Sequence, residues 1–411
     1  MLSSFGALQE REFRLLFAGQ SVSLLGDGIV AVALTFAVLD LTGSASDLGF
    51  VLAARTIPLV ALLLAGGVFA DRFSRRSVML TADVVRFAGQ GLLAALLVSG
   101  QAQIWQIAAL QVVHGAATAF FNPASTGLLP MTVSDERLQQ ANGLRALSMS
   151  AANIAGPAIG GLLVVAVGAG WAIAADAATF GVSAAFLAQL RLAAREPLPE
   201  QSFLADLREG WDEVRARTWV WVFIAWASLG NLAVAFFVVL GATISKQSLG
   251  GAGAWALIIA SLSAGSVLGS LAALHLQPRR PLFVAALGLG ALAFPNAALA
   301  LTLPAAAVAA GALFAGAANM LANTLWETAL QRRIPAAALS RVSAYDWFGS
   351  MAFAPMGYAI AGPVGAAIGL SNALWVFAAF FAASAPLIAA LPSIRHLDDE
   401  RRPAPAPALS R

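Results

Sequence analysis

The sequence predicts an all-α membrane protein of twelve transmembrane helices arranged as two six-helix bundles. Three observations predict it: twelve long apolar runs, a polar stretch that divides them six and six, and the placement of the basic residues. Of the 24 Lys and Arg residues, all but Arg55, Arg86 and Lys246 fall at the chain ends or in alternate gaps between runs. Basic residues resist translocation, so those gaps and both termini are expected in the cytoplasm. At 59% hydrophobic, 11% charged and mean hydropathy +0.79, 411 residues would leave a water-soluble domain almost no polar surface.

The runs of the first half are Leu15 to Leu39, Leu48 to Phe69, Ser77 to Val98, Trp105 to Pro130, Ala146 to Val167 and Trp171 to Leu190. Those of the second are Thr218 to Ala242, Ala252 to Leu274, Pro281 to Leu301, Ala305 to Ala329, Val342 to Ile368 and Ser371 to Pro392. Each holds roughly 20 or more residues, enough at about 1.5 Å per residue to cross a hydrocarbon core of about 30 Å. The first run is long and lacks a small-residue cleavage site after a short apolar core, so it reads as a retained helix and not a signal peptide.

The polar stretch Arg191 to Arg217 reads as a cytoplasmic linker, and within it Phe203, Leu204, Leu207, Trp211 and Val214 share one helical stripe. That pattern predicts an amphipathic helix against the inner leaflet or the bundle base. The domains are thus 1–190, the linker 191–217, 218–392 and a tail, 393–411. Pro403, Pro405 and Pro407 alternate with Ala in the tail and favour an extended, disordered segment. The halves echo each other: Ile154-Ala155-Gly156-Pro157 in the fifth run recurs as Ile360-Ala361-Gly362-Pro363 in the eleventh. Parallel repeats about an axis normal to the membrane imply a central cavity and rocking of one half against the other.

The net charge of +3 and pI near 10.1 come from the cytoplasmic gaps, so membrane lipids are the expected partner and nucleic acid is not. The absence of Cys excludes disulfides and thiolate metal sites. Three His and scattered acids offer no facing nucleophile, base and metal set, so neither an enzyme nor a metal site is expected. No Walker-type phosphate loop is present, so no nucleotide cofactor is expected either.

Between the second and third runs stands Gly67-Val68-Phe69-Ala70-Asp71-Arg72-Phe73-Ser74-Arg75-Arg76. It resembles the loop signature G-x-x-x-D-R-x-G-R-R of the major facilitator superfamily, with Ser74 at the usual second Gly. Helix count and linker position match that superfamily along the whole chain. The resemblance implies a gating latch in the outward-open state. Asp71 would face a helix N-terminus of the other half, and Arg72, Arg75 and Arg76 would bond nearby carboxylates and carbonyls. The equivalent loop in the second half, 277–281, carries only Arg279 and Arg280 and no acid, so the latch is expected to be asymmetric.

Gly143, Ala152, Gly156-Pro157 and Gly160-Gly161 resemble the antiporter signature G-x8-G-x3-G-P-x2-G-G, with Ala152 at one Gly. Small residues permit close helix approach and Pro157 removes a backbone donor, so ordinary packing and an antiporter helix both fit. Leu25-Gly26-Asp27-Gly28, Asp40-Leu41-Thr42-Gly43-Ser44, Phe121-Asn122-Pro123-Ala124 and Asp176-Ala177-Ala178-Thr179-Phe180 are similar to the branch containing macrolide efflux proteins and the enterobactin exporter. The Arg that many drug antiporters carry in the fourth helix is absent; His114 is the only ionisable residue there.

Among acids only Asp27, Asp83, Asp176, Glu327 and Asp346 fall within runs, with Arg55, Arg86 and His114 as basic counterparts. An isolated charge in a membrane is costly, so each is a candidate. By helix rise Asp27 sits about 18 Å and Arg55 about 11 Å below the outer boundary, within reach of each other as a structural ion pair or a proton-coupling pair. Asp83 and Arg86, spaced i,i+3 near the cytoplasmic side, are expected to support the gate. Asp176, Glu327 and Asp346 lie within roughly 8 Å of an interface by the same count and are expected on solvated rims. His114 near mid-depth reads equally as a titrating or a structural histidine.

The expected cavity is sparsely polar, with Gln20, His114, Asn231 and Asn319 as candidate lining residues. Trp221, Trp226, Trp326, Trp347, Phe120, Phe121, Phe236 and Phe237 read as packing or as an apolar path. Such a cavity suits a lipophilic or amphiphilic small molecule. The expectation is a monomeric secondary exporter of a drug, macrolide or siderophore in a bacterial cytoplasmic membrane, driven by the proton gradient, with Asp27 as proton carrier. Uptake or lipid movement by the same fold, or a non-transporting sensor, are the alternatives.

Overall fold

A computed structural model describes residues 2–134, 137–191, 211–276, 278–334 and 336–395. Among them twelve helical spans are long and apolar enough to cross a membrane. In lipid a backbone must satisfy its own hydrogen bonds, which is why every apolar run is helical. The first six are α1 (Arg11–Thr42), α2 (Ala45–Arg72), α3 (Arg75–Val98), α4 (Ile104–Leu128), α5 (Leu138–Val167) and α6 (Ala169–Ala188). After the helical stretch 211–215 come α7 (Thr218–Ile244), α8 (Ala252–His275), α9 (Pro281–Ala300), α10 (Ala305–Arg333), α11 (Tyr345–Ile368) and α12 (Leu370–Ala390).

Two spans are less regular than their runs suggest. α9 tightens into a 3-10 turn at Gly290–Leu292, and α11 is interrupted at Ala352 and Phe353 before Ala354–Ile368 resumes. Pro355 opens that second piece, where a missing N–H costs nothing. The hairpins are sharp because glycines adopt the left-handed region: Gly168 between α5 and α6 and Gly369 between α11 and α12 both have φ 91°. The repeat visible in the sequence thus extends to equivalent turns in the two halves.

Most contacts between halves run through two helix pairs, α2 with α11 and α5 with α8. Ser46 near the start of α2 lies so close to Gly362 of α11 that no side chain fits at the glycine. The cores divide along the membrane normal. At the end bearing the short turns, one hydrophobic cluster joins both halves, with Leu34, Phe36 and Leu39 of α1 beside Phe236 and Leu240 of α7 and Trp255 of α8. At the opposite end, which carries the chain's first helix turns and the stretch 211–217, each half keeps its own cluster. Phe13, Met79 and Leu128 belong to one, and Trp219, Phe223 and Trp326 to the other. The halves are therefore welded at the short-turn end and apart at the linker end.

The linker residues 192–210, with Phe203, Leu204 and Leu207, and the tail from 396 lie outside the described residues. Of the expected amphipathic stripe, Val214 is buried and the Trp211 ring meets Tyr345 at 5.7 Å.

Candidate functional site

A cavity of about 490 Å³ opens between the halves on the linker side. α1 supplies Gln20, Ser23, Leu24 and Asp27, spaced i, i+3, i+4 and i+7 so that they share one face. α4 repeats the device with Thr118, Phe121, Asn122, Ser125 and Thr126. Leu63 of α2, Arg86 of α3, Arg145 and Met149 of α5, and Trp347 of α11 complete the wall. Gln20 Nε2 donates to Ser125 Oγ at 2.6 Å, which fixes α1 on α4.

The cavity floor is charged. Arg55 Nη2 and Asp27 Oδ1 lie 3.5 Å apart and both side chains remain partly exposed, so the pair anticipated from residue counting forms. Arg86 pairs with Asp83, and its guanidinium stacks between Phe121 and Phe180, 4.1 and 4.4 Å from the ring centroids. Both members of this pair are almost wholly buried. Arg86 lines the cavity, so the pair sits at the floor and not in the gate loop.

Asp176 was expected on a solvated rim, and the structure corrects this: it is fully buried. Its Oδ2 accepts from Gln90 Nε2 at 2.9 Å, and Gln90 Oε1 accepts from Gln111 Nε2 at 3.3 Å. Burial here comes from the packing of α6 on α3 and α1, which a count along one helix cannot see. Asp346 likewise accepts from Trp326 Nε1 at 3.0 Å and Ser350 Oγ at 3.4 Å, whereas Glu327 is exposed.

Of the amides and the histidine expected in the cavity, only Gln20 lines it. His114 is buried, its ring edge-to-face with Phe180 at a centroid separation of 5.7 Å. Asn231 Nδ2 donates to Ser350 O at 3.0 Å and Ala227 O at 3.1 Å, tying α7 to the start of α11. Asn319 sits on α10 away from the lining. Of the aromatics, Phe121 and Trp347 line the cavity, while Trp226, Trp326, Phe236 and Phe237 are core.

The loop motif is described in part. Gly67, Asp71 and Arg72 lie outside the residues whose side chains are described. Arg75 donates to Gly127 O at 2.6 Å, and Arg76 donates to Leu187 O at 2.8 Å and Ala188 O at 2.6 Å. These acceptors end α4 and α6 of the same half, where a cation complements the helix dipole. In the second motif, a Cβ on Gly156 would stand 2.6 Å from the Gly28 Cα, and Gly160 backs onto Ile29, so both seat α5 on α1. Pro157 is buried beside them, and Gly161 faces Ala256 of α8 in the other half. Gly143 is exposed and touches nothing.

Two features of the structure have no distinct signal in the sequence. Arg145 stands one residue before the fifth apolar run, so it counts there as one more basic gap residue; α5 in fact begins at Leu138 and carries it into the cavity wall. Lys246, the chain's single lysine, donates at 2.6 Å to both Leu39 O and Asp40 Oδ1, bridging α7 and α1 across the welded end.

The Major Facilitator Superfamily profile matches residues 16–351. The chain belongs to this superfamily. It is a multi-pass membrane transporter of that superfamily, not an enzyme. Macrolide efflux protein A of Streptococcus pyogenes is 27% identical over 202 residues, 48% of this chain and 50% of that protein. The multidrug efflux pump Tap of Mycobacterium tuberculosis is 31% identical over 191 residues, 44% of each. The chain thus spans about half the length of these relatives. Tap of Mycolicibacterium fortuitum aligns over 95% of this chain and 97% of its own, at 26% identity. The superfamily fold is shared with the nucleoside transporter NupG, TM-score 0.73 at 13% identity, covering 92% of this chain and 98% of that one. It is shared also with a bacterial homologue of the human lysosomal transporter Spinster in an inward-facing, unoccupied conformation. That comparison gives TM-score 0.70 at 15% identity over 93% and 97% of the two chains.

Proposed function

We propose that this superfamily member is a proton-coupled exporter that expels an amphiphilic organic molecule by alternating access. The observation that carries the reading is the cavity itself: open at the linker end, sealed at the other by a core common to both halves, and floored by the Asp27–Arg55 pair. The efflux names of relatives that match part or most of the chain support the direction. With both termini on the cytoplasmic side of a bacterial inner membrane, as the basic gaps predict, this cavity faces inward and awaits cargo. Leu24, Leu63, Phe121, Met149 and Trp347 offer apolar area, and a few polar side chains fix orientation. Protonation of Asp27 would free Arg55 and change the charge of the floor, so proton exchange and pocket shape are linked through one contact. The protein works as a monomer between lipids, with no cofactor beyond the proton gradient.

Inside-out vesicles with an acid lumen test this. At least one compound of a panel of amphiphilic drugs, macrolides and siderophores should accumulate in them when the wild-type protein is present, and the Asp27→Asn variant should lose the pH-driven part while retaining binding. Undiminished accumulation in the variant would remove Asp27 from the coupling role.

A further inference from the structure

Among the described residues Arg145 has no partner of its own, neither an ion pair nor a side-chain hydrogen bond. The other two charged residues of the cavity wall are matched, Asp27 by Arg55 and Arg86 by Asp83. It belongs to the membrane-spanning stretch Gln140–Val167, about 8 Å from its linker-side start by helix rise. A half-buried guanidinium with no acid beside it, in a wall that is otherwise largely apolar, marks a place where an anion is received. We propose that Arg145 is the anchor for an acidic group on the cargo, and that the exported class is organic anions with a large apolar body.

This deepens the reading of the cavity as the cargo site and rests on it. The guanidinium is a planar fork that suits carboxylate, sulfonate or phosphate oxygens two at a time. One turn along α5, Met149 extends the same face, and Phe121 and Trp347 offer ring surface for the apolar body. A cationic cargo would meet one acid in this wall, Asp27, already engaged by Arg55, and two arginines besides. Because the Asp27–Arg55 and Asp83–Arg86 pairs are each neutral overall, the wall's net charge comes from Arg145, which attracts anions and repels cations. Proton influx coupled to export of an anion also keeps the sign of the driving force favourable, because the cargo leaves a cell interior that is negative.

The probe is dansyl-labelled undecanoic acid, compared with its methyl ester, in binding measurements on the full chain in maltoside micelles. The wild type should bind the acid at least about tenfold more tightly than the ester, the size of one charge-assisted contact. Arg145→Gln should bring the acid down to the ester's affinity with the ester unchanged, which also reports that the variant is folded; Arg145→Lys should keep part of the preference. Trp347→Ala should weaken both probes alike. Equal binding of acid and ester by the wild type, or a preference that survives Arg145→Gln, overturns the anion assignment while the cargo cavity stands. Binding of either probe that ignores Trp347→Ala overturns the cavity reading and the assignment with it. Displacement of the acid by phosphatidylglycerol in the wild type but not in Arg145→Gln would give the site to a lipid headgroup and overturn the cargo role.

Discussion

At the residue scale, the buried Asp83–Arg86 pair is the sharpest case of charge held by context. Removing one partner strands the other in a wall of Phe121 and Phe180, so Asp83→Ala should cost about 3 to 5 kcal/mol. Replacing both by apolar residues of similar volume should recover most of it. Thermal unfolding in detergent, monitored for the single and the double variant, checks the ordering; equal losses in both would show that the pair's worth is not electrostatic. The residues that could be found from the sequence were those defined by spacing along one helix or by depth. Asp27 and Arg55 were legible because their counted depths lie within reach of two side chains, and Asp83 and Arg86 because i,i+3 positions face one another. Asp176 and Arg145 lie where their sequence does not place them, for two separate reasons. The first is hidden by neighbouring helices, which leave no trace in its own helix, and the second lies beyond the point where hydropathy falls although the helix continues.

At the element scale, helix contacts explain which small residues are needed. Gly156 and Gly28 bring α1 and α5 to backbone contact, so a side chain at 156 must push the helices apart. Gly156→Val should lower the unfolding temperature by several degrees, and Gly143→Val, at an exposed glycine touching nothing, should leave it nearly unchanged. A signature of glycines is legible in a sequence, but which of them bears a neighbour is decided by helix phase, and the repeat Ile360-Ala361-Gly362-Pro363 shows the same phase put to a different use, against α2. The bridge from Lys246 to Asp40 and Leu39 O is an element-scale clasp between α7 and α1. Exposed ion pairs are worth about 1 kcal/mol or less, so Lys246→Ala should loosen the welded end by a few-fold and not unfold it. The chain has no native cysteine, so a single Val239→Cys reporter in the shared core should react with a thiol reagent a few-fold faster in the Lys246→Ala background. An unchanged rate would mean the clasp carries no weight.

At the scale of the molecule, the fold class was legible because lipid imposes a strict rule on backbones: apolar length suffices to count the helices. The conformational state was not, since the same runs fit a molecule open at either end. It is read from the cores, one common to both halves at the short-turn end and two separate ones at the other. Under the alternating access proposed above, the other state is obtained when the weld opens and the linker ends close. Distances between spin labels test this account most directly, with one pair at Asn142 and Asn323 on the linker side and another at Gly43 and Gln247 on the short-turn side. On adding cargo and lowering pH, the first distance should shorten as the second lengthens; two distances that stay fixed, or that change in the same direction, would contradict it.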